Sequence, residues 1–150
     1  MRELRDLNKI KEIRKYFLER FGIFEHFFAN YLFLEHFEKV FLLYKSKDFE
    51  KVNKSKLFGT PFMLLADFYK KIPANLALTF FKRNQIQKNW IEVDFVQAQE
   101  FMKGKNLDLK NIKKKSSVLS NGCVIVFFKD FIVGSGIMEK TEIKLNSGKE

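Results

Sequence analysis

Apolar residues recur at helical spacing near the start of the chain, at Leu7, Ile10, Ile13, Phe17 and Phe21. Arg5, Lys9, Lys11, Glu12 and Lys15 fall largely elsewhere around the same axis. This pattern predicts an amphipathic helix over Glu3–Phe21 with Gly22 as its stop, and a short turn or helix over Ile23–Phe28. Tyr31–Phe37 and Lys39–Tyr44 then read as two aromatic-rich strands joined by a tight connection. Lys45–Lys56 is polar and lysine-rich, a loop with a helical turn. Leu57–Ala66 resembles a strand interrupted at Gly59-Thr60-Pro61, and Pro73 suits the first position of a helix over Ala74–Lys82. Arg83–Lys88 is a polar joint, and it sets the expected division into residues 1–86 and 87–150.

The pattern after the joint is sharper. Trp90–Val93 predicts a short strand, and Asp94 an N-cap with Gln97 three residues on. Phe95, Ala98, Phe101 and Met102 share one face of the helix that follows, and Gly104 ends it. A lysine-rich stretch leads to Gly122, which opens the apolar run Cys123–Phe128. Lys129-Asp130 breaks that run before Phe131-Ile132-Val133, which predicts a hairpin. Gly134-Ser135-Gly136, then Ile137-Met138 and a last strand over Glu142–Leu145, complete the pattern. Strand, helix and several short strands with glycine corners describe a small, partly closed barrel. The expected class is α+β: an N-terminal helix and small antiparallel sheet packed on a C-terminal mixed β-barrel.

Composition adds two things. The chain has 19 phenylalanines among 150 residues, nine of them between Phe17 and Phe49, which is core material in excess. It also carries 28 Lys and Arg against 18 Asp and Glu, a net +10, and such a field attracts polyanions, nucleic acid first. Up to Lys88 there are 18 basic and 10 acidic residues, +8; after it 10 and 8, +2. The second part nevertheless holds the densest cluster, five lysines from Lys105 to Lys115 with Asp108 as the only acid.

The second part resembles a PUA domain, the RNA-binding module named after pseudouridine synthases and archaeosine transglycosylases. Three features carry the likeness: the helix ending Phe101-Met102-Lys103-Gly104, the strand through Val124-Ile125-Val126, and Val133-Gly134-Ser135-Gly136-Ile137 a hairpin later. Upstream, Tyr16-Phe17-Leu18-Glu19-Arg20-Phe21-Gly22-Ile23, Tyr31-Leu32-Phe33 and Val40-Phe41 are similar to the region before the PUA-like tail of RsmF-type RNA 5-methylcytosine methyltransferases. Archaeal stand-alone proteins of this plan and small ribosome-biogenesis factors share it. One departure is local: such domains close with an Asn soon followed by Pro, whereas Asn146-Ser147-Gly148-Lys149 has no proline. The resemblance implies a non-catalytic protein that binds structured rRNA or tRNA in ribosome biogenesis or RNA modification. It implies an RNA surface of Lys103, Gly104, Lys105, Lys110, Lys113, Lys114, Lys115, Lys129, Ser135 and Lys144.

Each of these residues has a plainer reading beside the functional one. A lysine run is commonly a solvated segment, Gly104 is explained as a helix cap alone, and Gly134-Ser135-Gly136 is a structural corner. Trp90 is either a stacking platform or strand core. Cys123, without an evident base, is buried filler rather than a nucleophile. As the single cysteine it cannot form an internal disulfide, which points to a reducing compartment, and the cytoplasm is the default. His26 and His36 with Cys123 make no zinc set, so no metal, catalytic residue or cofactor is expected. No stretch is long and apolar enough for a membrane span, and the charged N-terminus is no signal peptide. Two rival functions stay open. One is a protein-interaction adaptor that docks an RNA methyltransferase or assembly factor; the other is a peripheral membrane binder acting through the basic helix.

Overall fold

The computed structural model describes residues 2–36, 39–44, 63–67 and 81–146. The expected loop over Lys45–Lys56 and most of the expected helix over Ala74–Lys82 lie outside them. Strand β1 (Arg2–Glu3) precedes helix α1 (Leu7–Phe21), which is followed by a 3-10 turn over Glu25–Asn30. The helix begins at Leu7 rather than Glu3 for a local reason. Asp6 is extended and its carboxylate accepts the amides of Asn8 and Lys9, while Arg2 and Glu3 pair with a strand instead. The helix ends at Gly22, in the left-handed region at φ 69°, with Gly22 N–H donating to Leu18 C=O and Ile23 N–H to Phe17 C=O.

Strands β2 (Tyr31–His36), β3 (Lys39–Tyr44) and β4 (Met63–Asp67) join β1 in an antiparallel sheet of order β1-β2-β3-β4. Alternation along β2 and β3 sends Phe33, Val40 and Leu42 toward α1, and Leu34 and Leu43 to the other face.

The second sheet is built from β5 (Trp90–Glu92), β6 (Leu107–Asp108), β7 (Lys114–Lys115), β8 (Gly122–Phe128), β9 (Phe131–Glu139) and β10 (Glu142–Leu145). Its order is β6-β10-β9-β8-β5-β7, antiparallel except for the parallel pair β5–β8. Helix α2 (Phe95–Met102) lies in the crossover between those two strands, which a parallel pair requires. The sheet is curled, and chain length shows why. Five spacings of ~4.8 Å would put the edge strands of a flat sheet ~24 Å apart. The six steps from Asp108 to Lys114 reach at most ~20 Å extended, and a 3-10 turn over Leu109–Asn111 shortens them further. The edges therefore bend toward each other. The expected corner at Gly134-Ser135-Gly136 is instead the middle of one continuous strand, β9.

Strand β8 is buried on both faces, which explains its unbroken apolar run. Val124 and Val126 pack with Ile91, Met138, Ile143 and the α2 residues Ala98 and Phe101. Cys123, Ile125 and Phe127 join Ile13, Phe17, Phe21, Phe28 and Phe81 in one cluster that draws on both halves of the chain. The polar joint takes part in this union. Gln87 and Lys88 donate to Phe21 C=O, and Ile86 is buried in the shared cluster. Asn89, buried at φ 54°, bonds Arg20 C=O through its amide and receives the Ser120 amide. Arg20 itself donates to Cys123 C=O at 2.7 Å, Ser120 C=O at 2.8 Å and Asn121 C=O at 3.1 Å. Among the described residues, no helix is long and apolar enough to cross a membrane.

Candidate nucleic-acid interface

The sequence places the lysines around the end of one short helix; the structure spreads them along it. Lys103 caps the C-terminus of α2, and Gly104 follows at φ 91°. That angle alone explains the glycine, since a Cβ there would meet nothing within 4 Å. Lys105 is exposed and lies 3.9 Å from Glu100. Lys110 and Lys113 sit toward the opposite end of the helix, because Gln97 in its first turn donates through Nε2 to Asn111 C=O at 2.9 Å. Lys114 and Lys115 continue onto edge strand β7, where Lys114 pairs with Glu92 at 3.5 Å. Among the described residues, exposed Lys103, Lys110, Lys113, Lys115 and Lys144 stand in no ion pair.

Three expected contacts separate from this surface. Lys144 alternates with buried Ile143 and so projects from the face of β10 opposite α2. Lys129 occupies the β8–β9 turn at φ 53°, its Nζ 5.4 Å from the centre of the Phe128 ring. Ser135 is a correction. It is fully buried, opposite Ile125 on the face covered by the N-terminal half, and its hydroxyl accepts from Asn146 Nδ2 at 3.1 Å. A side chain so placed has no access to RNA. Gly136 beside it is structural: a Cβ would come within 2.4 Å of Ile143 Cγ2 and 3.4 Å of Phe101 Cζ.

Two other candidates resolve toward packing. Trp90 is partly buried against the shared cluster, and the Arg83 guanidinium lies 4.9 Å from its ring centre and 4.8 Å from that of Phe127. Arg83 also meets Glu92 at 2.5 Å and donates to Lys129 C=O, so the joint braces the β8–β9 hairpin. Cys123 is buried, and burial pushes its thiol up to about 12, offset only in part by Arg20 and Ser135. Among the described residues, no three His, Cys, Asp or Glu side chains converge as a metal site would need.

The sequence reading missed an open cleft of about 380 Å³ between α2 and the β8–β9 hairpin. Phe95, Met102, Phe128 and Phe131 line it, with Lys103 at one end. Phe95 and Met102 were expected to share one helix face with Ala98 and Phe101, yet they are 60% and 61% exposed while Ala98 and Phe101 are buried. The sequence carried no signal for this, since adjacent Phe101 and Met102 are both apolar and only the first is buried. Set against known proteins, the chain matches no family model and no curated protein.

Proposed function

We propose that this chain is a non-catalytic RNA-binding protein of PUA-like plan, acting on structured rRNA or tRNA in ribosome biogenesis or RNA modification. The observation that carries the reading is the set of exposed lysines at the end of α2 and on the segment after it that no acid neutralises among the described residues: Lys103, Lys110, Lys113 and Lys115. Lysines spread over one such surface neutralise neighbouring phosphates and release counterions. Lys105 and Lys114, each near one carboxylate, contribute less. The order strand, helix and curled mixed sheet supports the PUA-like comparison, and the shape of a folded RNA would be read through phosphates and 2′-hydroxyls.

Binding measured against salt tests this. About four phosphate contacts give a slope of log affinity on log salt near −3, at about −0.7 per contact with single strands. Changing Lys113, Lys114 and Lys115 together to Gln should weaken binding and make the slope shallower by roughly 1–2. Unchanged affinity and slope in a variant of normal stability would reject the reading. The exposed apolar cleft favours a second reading, an adaptor that docks an RNA methyltransferase or assembly factor through that surface.

A further inference from the structure

We infer that the cleft between α2 and the β8–β9 hairpin is a stacking site for unpaired RNA bases. This rests on the RNA-binding reading above and deepens it by naming single-stranded nucleotides as the ligand of a defined surface. The first argument is exposure. Phe131 is 72% exposed and Phe95 60%, while Phe17, Phe21, Phe28, Phe101 and Phe127 are 0% exposed. Two rings left in water beside each other mark a surface that something covers.

The second argument is rigidity. Phe131 stands directly after the two-residue turn of a hairpin between two internal strands, and Phe128 across from it packs against Phe95 at 5.9 Å between ring centres. Val133, the extra residue of a β-bulge opposite Val126 and Phe127, adds local twist beneath the cleft. Arg83 holds the turn through Lys129 C=O. The hairpin backbone and the Phe95–Phe128 pair are therefore held in place before any ligand arrives, which lowers the entropic cost of stacking.

Charge decides the occupant. Lys103 lines the cleft at the C-terminal end of α2, and Lys129 lies over the Phe128 ring at the hairpin end. The eight residues of α2 span ~12 Å, room for two or three bases at ~3.4 Å each. A strand whose bases enter the cleft carries its phosphates onto Lys103 and past Gly104, whose open surface admits a backbone closely. Aromatic rings interleaved with cations are what single strands use, because every base has a face to stack. Peptide addition to a sheet edge does not fit, since β8 and β9 are both internal strands.

The test uses the full chain with a mixed-sequence RNA of about ten nucleotides, the same RNA as a blunt duplex, and an abasic counterpart of equal charge. Phe131→Ala and Phe95→Ala should each weaken single-strand binding by roughly 5- to 150-fold, with the salt slope unchanged because no charge is removed. Neither substitution should alter binding of the duplex or the abasic strand. Equal loss on all three ligands would overturn the stacking site, since phosphates and not bases would then be responsible. If the ring variants bind single strands normally while the triple lysine variant does not, the RNA reading stands and the stacking site falls. If no variant changes binding, both proposals fall.

Discussion

The phenylalanines of two regions, the cluster around α1 and the cleft beside α2, serve opposite ends. In the cluster around α1, Phe17 meets Phe21, Phe28 and Phe81 at ring-centre distances of 5.6–6.0 Å, and the first three are inaccessible to water. Along α2 and the hairpin, Phe95 and Phe131 stay exposed although Phe101, six residues from Phe95, is wholly buried. The same residue type is thus core where a helix, a 3-10 turn and a second sheet converge, and surface where a short helix leaves part of its apolar face uncovered. The difference lies in the number of elements that close over each ring. Offset and edge-on aromatic contacts add ~0.5–1.5 kcal/mol per pair beyond burial, so the first set should dominate stability.

Removing a ring from the sealed cluster tests this most strongly. Phe17→Ala deletes the partner of four aromatic neighbours among the described residues, Tyr16 included, in a site that α1 and both sheets enclose. We expect it to lower stability by ~3–5 kcal/mol in urea unfolding. A loss below ~1 kcal/mol would mean that the cluster yields as easily as the surface. Gly136→Ala is a second probe of the sealed region, this time by overfilling. The added Cβ meets Ile143 at 2.4 Å and Lys144 C=O at 3.1 Å, both on β10. The expected cost is ~1–3 kcal/mol, with amide exchange accelerated first along β9 and β10. Unaltered exchange there would show that β10 shifts without strain.

Stability against pH sharpens the same comparison, because the shared cluster buries titratable groups and the cleft does not. The Cys123 thiol is raised from 9.0 to about 12 by burial, so the folded chain keeps the proton that the unfolded chain releases. Burial also raises the Tyr16 phenol above its usual value of 10.0. Unfolding is then linked to proton release, and stability falls as pH rises through about 9 toward 12. One such group contributes a slope of at most ~1.4 kcal/mol per pH unit. The urea midpoint should decline between pH 9 and 11, and Cys123→Ala should flatten that decline. A midpoint constant over this range would place the thiol in contact with water.

Much of the fold was legible because local chemistry and global packing agree. The Asp94–Gln97 capping box, the apolar run of β8, the Lys129-Asp130 turn and the last strand all carry their signals within a few residues. The expected start of α1 at Glu3 was too early because the apolar period begins only at Leu7, after the Asp6 cap, while pairing with distant β2 claims Arg2 and Glu3. The candidate site was legible in composition but not in placement. Lys103 and Lys113 are near in sequence, yet α2 and the Gln97–Asn111 bond set them toward opposite ends of a helix. Ser135 was expected on the RNA surface. Its burial depends on the N-terminal half covering one face of β9, a long-range fact that no local pattern contains.

The smallest expected effect is the most discriminating. Phe131→Ala and Phe95→Ala should each change folding stability by no more than ~0.5 kcal/mol, as surface substitutions do. The reasoning is that truncation returns little buried area to water. Phe131 is already 72% exposed, and its backbone pairing with Phe128 survives the change. Phe95 contributes one tilted ring contact to Phe128 and sits in the first turn of α2, where alanine favours the helix and compensates part of the loss. Urea midpoints of the two variants, measured beside that of Phe17→Ala, decide the matter. Two near-zero shifts set against one large one would leave the exposed rings without a folding role. A loss of 2 kcal/mol or more, on the order of a buried side chain, would make the cleft a satellite core and remove the contrast between the two regions.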